Sequence, residues 1–241
     1  MNKIIVPIDF SEYSEYALKA AVLLSKKTAV TIYALHMLDL QEVSLSQSAE
    51  YTQEKAVFFL KLAEKRFKEF LQKEYLKDVK IVPIVKHYTE KVIRYSDIPV
   101  MVLKNELKDI DFADIVFATD FSEESVDAFK KMLTSLDFLN VRKHLLYVNL
   151  PNDKFKTTPE MDALANKFLI KAEGNIDRLI NVNFVCARSI EEGVLNFSNV
   201  IGADLITLIT HGRKGLSHVF SGSISEDISN HSALPIMTFK M

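Results

Sequence analysis

Two stretches in the second half of the chain carry residue types suited to holding a phosphorylated ligand. The first runs Thr210-His211-Gly212-Arg213-Lys214-Gly215 and continues to Gly222-Ser223-Ile224-Ser225-Glu226. Gly212 and Gly215 allow a tight turn and a close backbone approach to a ligand. Gly222-Ser223 opens a helical pattern, and a helix start offers unpaired N–H groups and a positive dipole end to a phosphate. Arg213 and Lys214 add positive charge, while Ser223 and Ser225 add hydroxyl donors. The second stretch is Ala118-Thr119-Asp120, closing the apolar run that starts at Ile115. A carboxylate there can accept hydrogen bonds from a ligand. Each feature also has a plainer role. Asp120, like Asp9, suits a turn before a helix, and Ser223-Ile224-Ser225-Glu226 is itself a capping box.

Hydrolysis of a phosphate needs metal ligands and a group that positions water. No pair of carboxylates dedicated to a metal flanks the glycine loop. Lys214 lacks the Gly-Lys-Ser/Thr context of a P-loop, and no Gly-x-Ser-x-Gly elbow occurs. His36, His87, His144 and His231 show no metal-ligand spacing. Turnover, if present, is expected to be slow.

The elements that would position these residues come from a repeat. Asp9-Phe10-Ser11-Glu12 returns as Asp120-Phe121-Ser122-Glu123, each after a short apolar run and before a helical pattern. Thr89-Glu90 leading to Ile98-Pro99-Val100-Met101 returns as Ser225-Glu226 leading to Leu234-Pro235-Ile236-Met237. Repeated starts and ends mean two copies of one fold. Ile4–Ile8, Val30–Leu35 and Ile81–Val85 read as strands of the first copy, with a long helix from Ser48 to about Lys73. Its stripe is Ala56, Leu60, Ala63, Phe67 and Phe70, with Phe58 and Phe59 beside it. The second copy has strands at Ile115–Thr119, His144–Val148, Val182–Ala187, Leu205–Ile209 and Ile236–Phe239, and a helix opened by the capping box Ser189–Glu192 and closed at Gly202. Between Val85 and Thr89 the first copy has no room for what separates Cys186 from Ser225 in the second: a helix, a strand and the glycine loop.

The fold class is therefore α/β: two tandem open parallel-sheet, Rossmann-like domains, the first lacking a helix–strand–glycine-loop segment. The expected boundaries are 1–104, a join over 105–111, and 112–241. Ligands of such sheets sit beyond the carboxyl ends of the strands, where strand order reverses.

The Asp-Phe-Ser turn combined with His211-Gly212-Arg213-Lys214-Gly215-Leu216-Ser217 and Gly222-Ser223 resembles the universal stress protein family in its tandem form. The family's loop reads glycine, two residues, glycine, nine residues, glycine, then serine or threonine. Gly212 and Gly222-Ser223 match the later elements, and the first glycine falls on Ile209. The resemblance covers the second copy and the first outside its missing piece. It implies an adenine nucleotide (ATP, or ADP or AMP, with or without Mg) bound by the second copy. Asp120 and the preceding Ala118 would lie at the base, which Val148 would meet through its backbone. His211 and Gly212 would lie by the ribose and phosphates, and Gly222, Ser223, Ile224 and Ser225 would grip the phosphates. The first copy, with Pro7, Asp9 and Thr89 but no glycine loop, is not expected to bind in the same way.

Composition narrows the setting. Of 241 residues 48% are hydrophobic and 26% charged, as in ordinary globular chains. A net charge of −2 gives no reason to expect a nucleic-acid partner. No apolar run approaches the roughly 18 residues a membrane helix needs, and the start is too short in apolar residues for a signal peptide. The lone Cys186 suggests a buried thiol in a reducing, cytoplasmic setting. The last strands of the copies, Pro99–Leu103 and Pro235–Phe239, are expected to face one another in an intramolecular pseudo-dimer. The missing strand leaves a slot beside Ile4–Ile8, to be filled by the last strand of the first copy or by a second molecule in a homodimer. Three functions follow: a stress-response regulator that binds a nucleotide, a nucleotide-independent interaction protein whose pocket Ile209 closes, or a slow nucleotide hydrolase.

Overall fold

The computed structural model describes residues 3–38, 49–87, 98–152, 155–210, 228 and 231–240. In chain order the elements are β1 (Lys3–Pro7), α1 (Glu12–Lys27), β2 (Thr31–Leu38), α2 (Ala49–Phe70), β3 (Ile81–His87), β4 (Val100–Val102), β5 (Asp114–Ala118), α3 (Ser125–Ser135), β6 (Arg142–Asn149), α4 (Thr158–Glu173), β7 (Val182–Cys186), α5 (Ile190–Ile201), β8 (Leu205–Thr210) and β9 (Ile236–Lys240). The chain divides into two compact units, one of residues 1–92 with 105–110, the other of 93–104 with 111–241. Residues 105–110 thus pack with the first unit, where Ile110 is buried and Glu106 accepts from Lys19 at 2.8 Å.

The first unit is a three-stranded parallel sheet in the order β1-β2-β3. Its core lies on one face, where Val6, Ile8, Ile32 and Ala34 pack with Leu18, Ala21 and Val22 of α1 and Phe67 of α2. Ala63 and Phe67 of the stripe along α2 are buried; the side chains of Ala56, Leu60 and Phe59 lie outside the described residues, and Phe58 is exposed. Alternation along a strand turns Ile5 and Pro7 to the opposite face. There Ile5 stays 49% exposed.

The second unit is a six-stranded sheet in the order β4-β9-β8-β5-β6-β7, parallel except for β4 against β9. Phe117 packs with Phe129 of α3 on one face, and Phe129 with Phe168 of α4. On the other face Val116, Ala118, Leu146, Ile206 and Leu208 pack with Ile190 and Val194 of α5 and with helical Ile228. Val116 and Ala118 occupy the places that Ile5 and Pro7 hold in the first copy, and both are fully buried. The segment missing from the first copy is the one that covers this face and flanks this strand in the second.

Two expectations are corrected. The last strand of the first copy does not fill the slot beside β1. It pairs with β9, Met101 opposite Met237, as anticipated for the facing strands, and β1 keeps β2 as its strand neighbour among the described residues. Cys186 is exposed rather than buried, because it closes β7, the edge strand of its sheet. No helix among the described residues is long and apolar enough to cross a membrane.

Candidate functional site

In the second unit the parallel strands β6 and then β7 are laid down on one side of β5, and β8 and then β9 on the other. The order therefore reverses between β5 and β8, the place where sheets of this kind take their ligands, beyond the carboxyl ends of the strands. Ala118 is the last residue of β5 and is buried. Thr119 follows, its N–H donating to Leu146 O at 2.9 Å.

Asp120 then begins a sharp elbow. Its Oδ1 accepts from Ser122 N–H at 2.9 Å and from Ser125 Oγ at 2.7 Å, so one carboxylate oxygen pins the entry to α3. Asp9 does the same at α1: its Oδ1 accepts from Ser11 N–H (2.9 Å) and Ser11 Oγ (2.6 Å). The Ser11 hydroxyl, then the Ser11 N–H, hold the Asp9 carboxyl below its ordinary value. The turn role is thus present in both copies. At Asp120 it leaves Oδ2 without a partner among the described residues. Burial first, then the Asp120 charge, pushes the Tyr147 phenol of β6 up.

The middle residue of each motif has a role that residue type alone hid. Phe10 and Phe121 have φ of 64° and 56°, the left-handed region that non-glycine residues rarely occupy. Such a conformation costs of order 1–3 kcal/mol. Ring burial offsets it. Phe121 lies 5.2 Å from Phe168 and stacks on Tyr147 at 5.9 Å, while Phe10 sits 4.6 Å from His36 and 5.5 Å from Phe67. Its repetition in both copies was the available signal.

Val148 is next to last in β6. The pairing of β5 with β6 ends at Ala118 and Leu146, two residues earlier. Because backbone groups alternate sides along a strand, Val148 turns its N–H and C=O to the side that Leu146 uses to accept from Thr119. This edge lies past the point where β5 has turned away. The Val148 side chain meets the first turn of α5, where a Cβ on Gly193 would lie 2.6 Å from Cγ1 and 2.8 Å from Cγ2. Gly193 is what lets the helix come this close. Ser189 caps that helix by accepting from Glu192 N–H at 3.1 Å. The Glu192 carboxylate reaches back to Arg188 N–H at 3.2 Å, one residue before the N-cap position a capping box would use.

Ile209 belongs to β8, opposite Phe239, and is fully buried. Thr207, which pairs with Phe117, fixes the face: alternation puts Ile209 with it, on the α3 side of the sheet. The residue is not among those with positive φ, so its backbone asks for no glycine. His211, Gly212, Gly222, Ser223, Ile224 and Ser225, with Arg213 and Lys214, lie outside the described residues. Of the residues singled out from the sequence, the structure brings Ala118, Asp120 and Val148 to neighbouring strand ends. Among the described residues no cluster of His, Cys, Asp and Glu could hold a metal ion.

The family model for the universal stress protein family matches residues 1–90 and 112–240. The chain belongs to this family. A universal stress protein from Archaeoglobus fulgidus is similar over 99% of this chain and 98% of its own, at 19% identity and TM-score 0.70. A putative universal stress protein from Pseudomonas aeruginosa is similar over 100% of this chain and 93% of its own, at 12% identity and TM-score 0.62. A universal stress protein from Archaeoglobus fulgidus solved in complex with dAMP aligns with 54% of this chain and 98% of its own, at 15% identity and TM-score 0.38. No curated protein matched by sequence.

Proposed function

We propose that the chain is a stress-response regulator whose second unit binds an adenine nucleotide, ATP or its ADP and AMP relatives, at the carboxyl ends of β5, β6 and β8. The observation that carries this reading is the pair formed by the Val148 backbone edge and the Asp120 carboxylate at adjoining strand ends. Adenine presents an amine donor next to a ring-nitrogen acceptor. One residue's C=O and N–H complement that pair, and a carboxylate oxygen can take a further amine hydrogen. Guanine reverses the order of donor and acceptor, so ATP is preferred to GTP. Support for the phosphate side comes from family membership and from the sequence Gly212, Gly222-Ser223-Ile224-Ser225 with His211. Ile209 turns to the core side of β8 and does not oppose this reading.

Binding rather than catalysis is the role, with turnover well below the 1–1000 per second of typical enzymes. The setting is cytoplasmic, and Mg accompanies the triphosphate where present. Native mass spectrometry of the purified chain tests the reading directly. A co-purifying adenine nucleotide supports it. A bare chain that stays bare in millimolar ATP contradicts it.

A second reading has one observation in its favour. The half-exposed Ile5, on a sheet face whose counterpart at Val116 is covered by a helix within the second unit, fits an interaction protein that works without nucleotide.

A further inference from the structure

The chain leaves β6 through a clamp. Asn149, the last residue of that strand, is 1% exposed, and both ends of its amide are bonded to one residue further along. Its Nδ2 donates to Lys156 O at 2.8 Å, and its Oδ1 accepts from Lys156 N–H at 3.0 Å. The Asn149 carbonyl accepts from Ala187 N–H at 3.4 Å, tying the strand end to the exit of β7. Inside the closed segment Asn152 N–H donates to Leu150 O at 2.9 Å and Phe155 N–H to Asn152 O at 3.0 Å. A buried amide with donor and acceptor both satisfied resists opening, because breaking the pair strands polar groups away from water.

The residue before this clamp is Val148. At this end β6 stays paired with β7 through Asn149 and Cys186, while the β5-facing edge at Val148 has no strand beside it. Here Val148 is held from one side by the close approach of Gly193 and from the following position by Asn149. Asn149 thus adds to the β7 pairing and the Gly193 contact in fixing this strand end, without needing to touch a ligand. Pro7 pairs with Leu35 as Ala118 pairs with Leu146, so Asn149 corresponds to Leu38 in the first copy. Leucine can form neither amide bond.

We propose that Asn149 is a positioning residue for the base of the bound nucleotide: by locking Lys156 against the end of β6 it keeps the Val148 backbone edge turned to the side that β5 leaves open. This rests on the adenine-nucleotide reading of the second unit and adds the residue on which the base side of that site depends. It also gives the first copy a second reason not to bind, independent of its missing glycine loop. The phosphate side, read from the sequence at Gly212 and Gly222-Ser223-Ile224-Ser225, shares no residue with this clamp.

The test is calorimetric titration of the full chain and its Asn149→Leu variant with ATP and, separately, with inorganic tripolyphosphate. Hydrogen exchange at the Lys156 amide reports whether the clamp has opened. The expected result is faster exchange at Lys156, about a tenfold loss of ATP affinity and tripolyphosphate affinity unchanged within about twofold. Equal losses for both ligands, or ATP affinity unchanged despite faster exchange, would overturn the inference while leaving nucleotide binding intact. A parent chain that binds no ATP would remove the nucleotide reading and this inference with it. Should the leucine variant fail to fold, Asn149→Ser adds no charge and leaves only a short hydroxyl in place of the two-point amide grip on Lys156. It is expected to show the same selectivity, with an ATP loss of about threefold or more. A serine variant that exchanges faster at Lys156 yet binds ATP like the parent overturns the proposal.

Discussion

Replacing Gly193 by alanine sets two well-understood effects against each other. A glycine inside a helix costs roughly 0.5–1 kcal/mol relative to alanine, so propensity alone predicts a more stable protein. Packing predicts the reverse. The new methyl would lie 2.6 and 2.8 Å from the two Val148 methyls and 3.2 Å from Ala187 Cβ. Val148 is β-branched and seated in a strand, with little rotamer freedom to yield, so α5 must move outward. Overpacking of this kind costs typically 1–3 kcal/mol. Taking the middle of that range against the propensity gain leaves a net loss of about 1 kcal/mol. The second unit's thermal midpoint then falls by about 2–8 °C, the shift that 1 kcal/mol makes in domains near this size. Thermal unfolding followed by circular dichroism reads this directly. Adding Val148→Ala to Gly193→Ala should recover the loss, with a coupling of about 1 kcal/mol in a double-mutant cycle. A single variant more stable than the parent, or a cycle with no coupling, would refute the close approach as the reason for this glycine.

Four further outcomes are expected. Ile5→Glu should change stability by no more than about 1 kcal/mol in urea unfolding, since surface substitutions are mild, whereas Val116→Glu at the equivalent covered position should cost about 3 kcal/mol or more by burying an unpaired charge. Asp120→Asn keeps an oxygen for Ser122 N–H and Ser125 Oγ, so the melting temperature should hold, while an amide donor facing the adenine amine lowers ATP affinity by about tenfold in calorimetry. Burial, then the charges of Glu15 and Glu106, push the Tyr75 phenol up to about 12, and its hydroxyl oxygen is buried without a partner among the described residues. A phenol raised in the folded state contributes stability that is whole below about pH 10 and lost as pH climbs toward the folded value, so Tyr75→Phe should flatten the alkaline decline in a pH series of melts. The Thr157 N–H and then its hydroxyl hold the Glu160 carboxyl below its ordinary value. That contribution is present above the ordinary carboxylate range and lost as acid takes pH through the lower folded value, so Glu160→Gln should make the acid arm of the same series shallower.

The strands were legible because parallel strands covered on both faces are continuous apolar runs, and the repeat doubled each signal. The missing segment was legible too, from the crowding of Val85 against Thr89. What it does to the fold was not. Apolar residues at Ile5 and Val116 look alike in sequence, and their different burial depends on whether a helix and a strand exist elsewhere to cover them. The partner of Val100–Val102 was foreseen from the facing strands, yet the same strand was also one of the two occupants expected for the slot beside β1, and it cannot serve both sheets. Cys186 misled because an apolar run does not reveal that its strand lies at an edge. Within the site, Asp120 and Val148 could be placed from strand ends, but the left-handed Phe121 and the Asn149 clamp could not. The first depends on an aromatic cluster assembled from β6, α4 and β7, and the second on a hydrogen-bonded pair whose members are residue types found in any loop.

The central claim is that the second unit, and not the first, holds an adenine nucleotide. Titration of the full chain with ATP by isothermal calorimetry measures the number of sites outright. One site per chain, with GTP bound more weakly, is the predicted result. Two equivalent sites, or no heat at millimolar ATP, would contradict it.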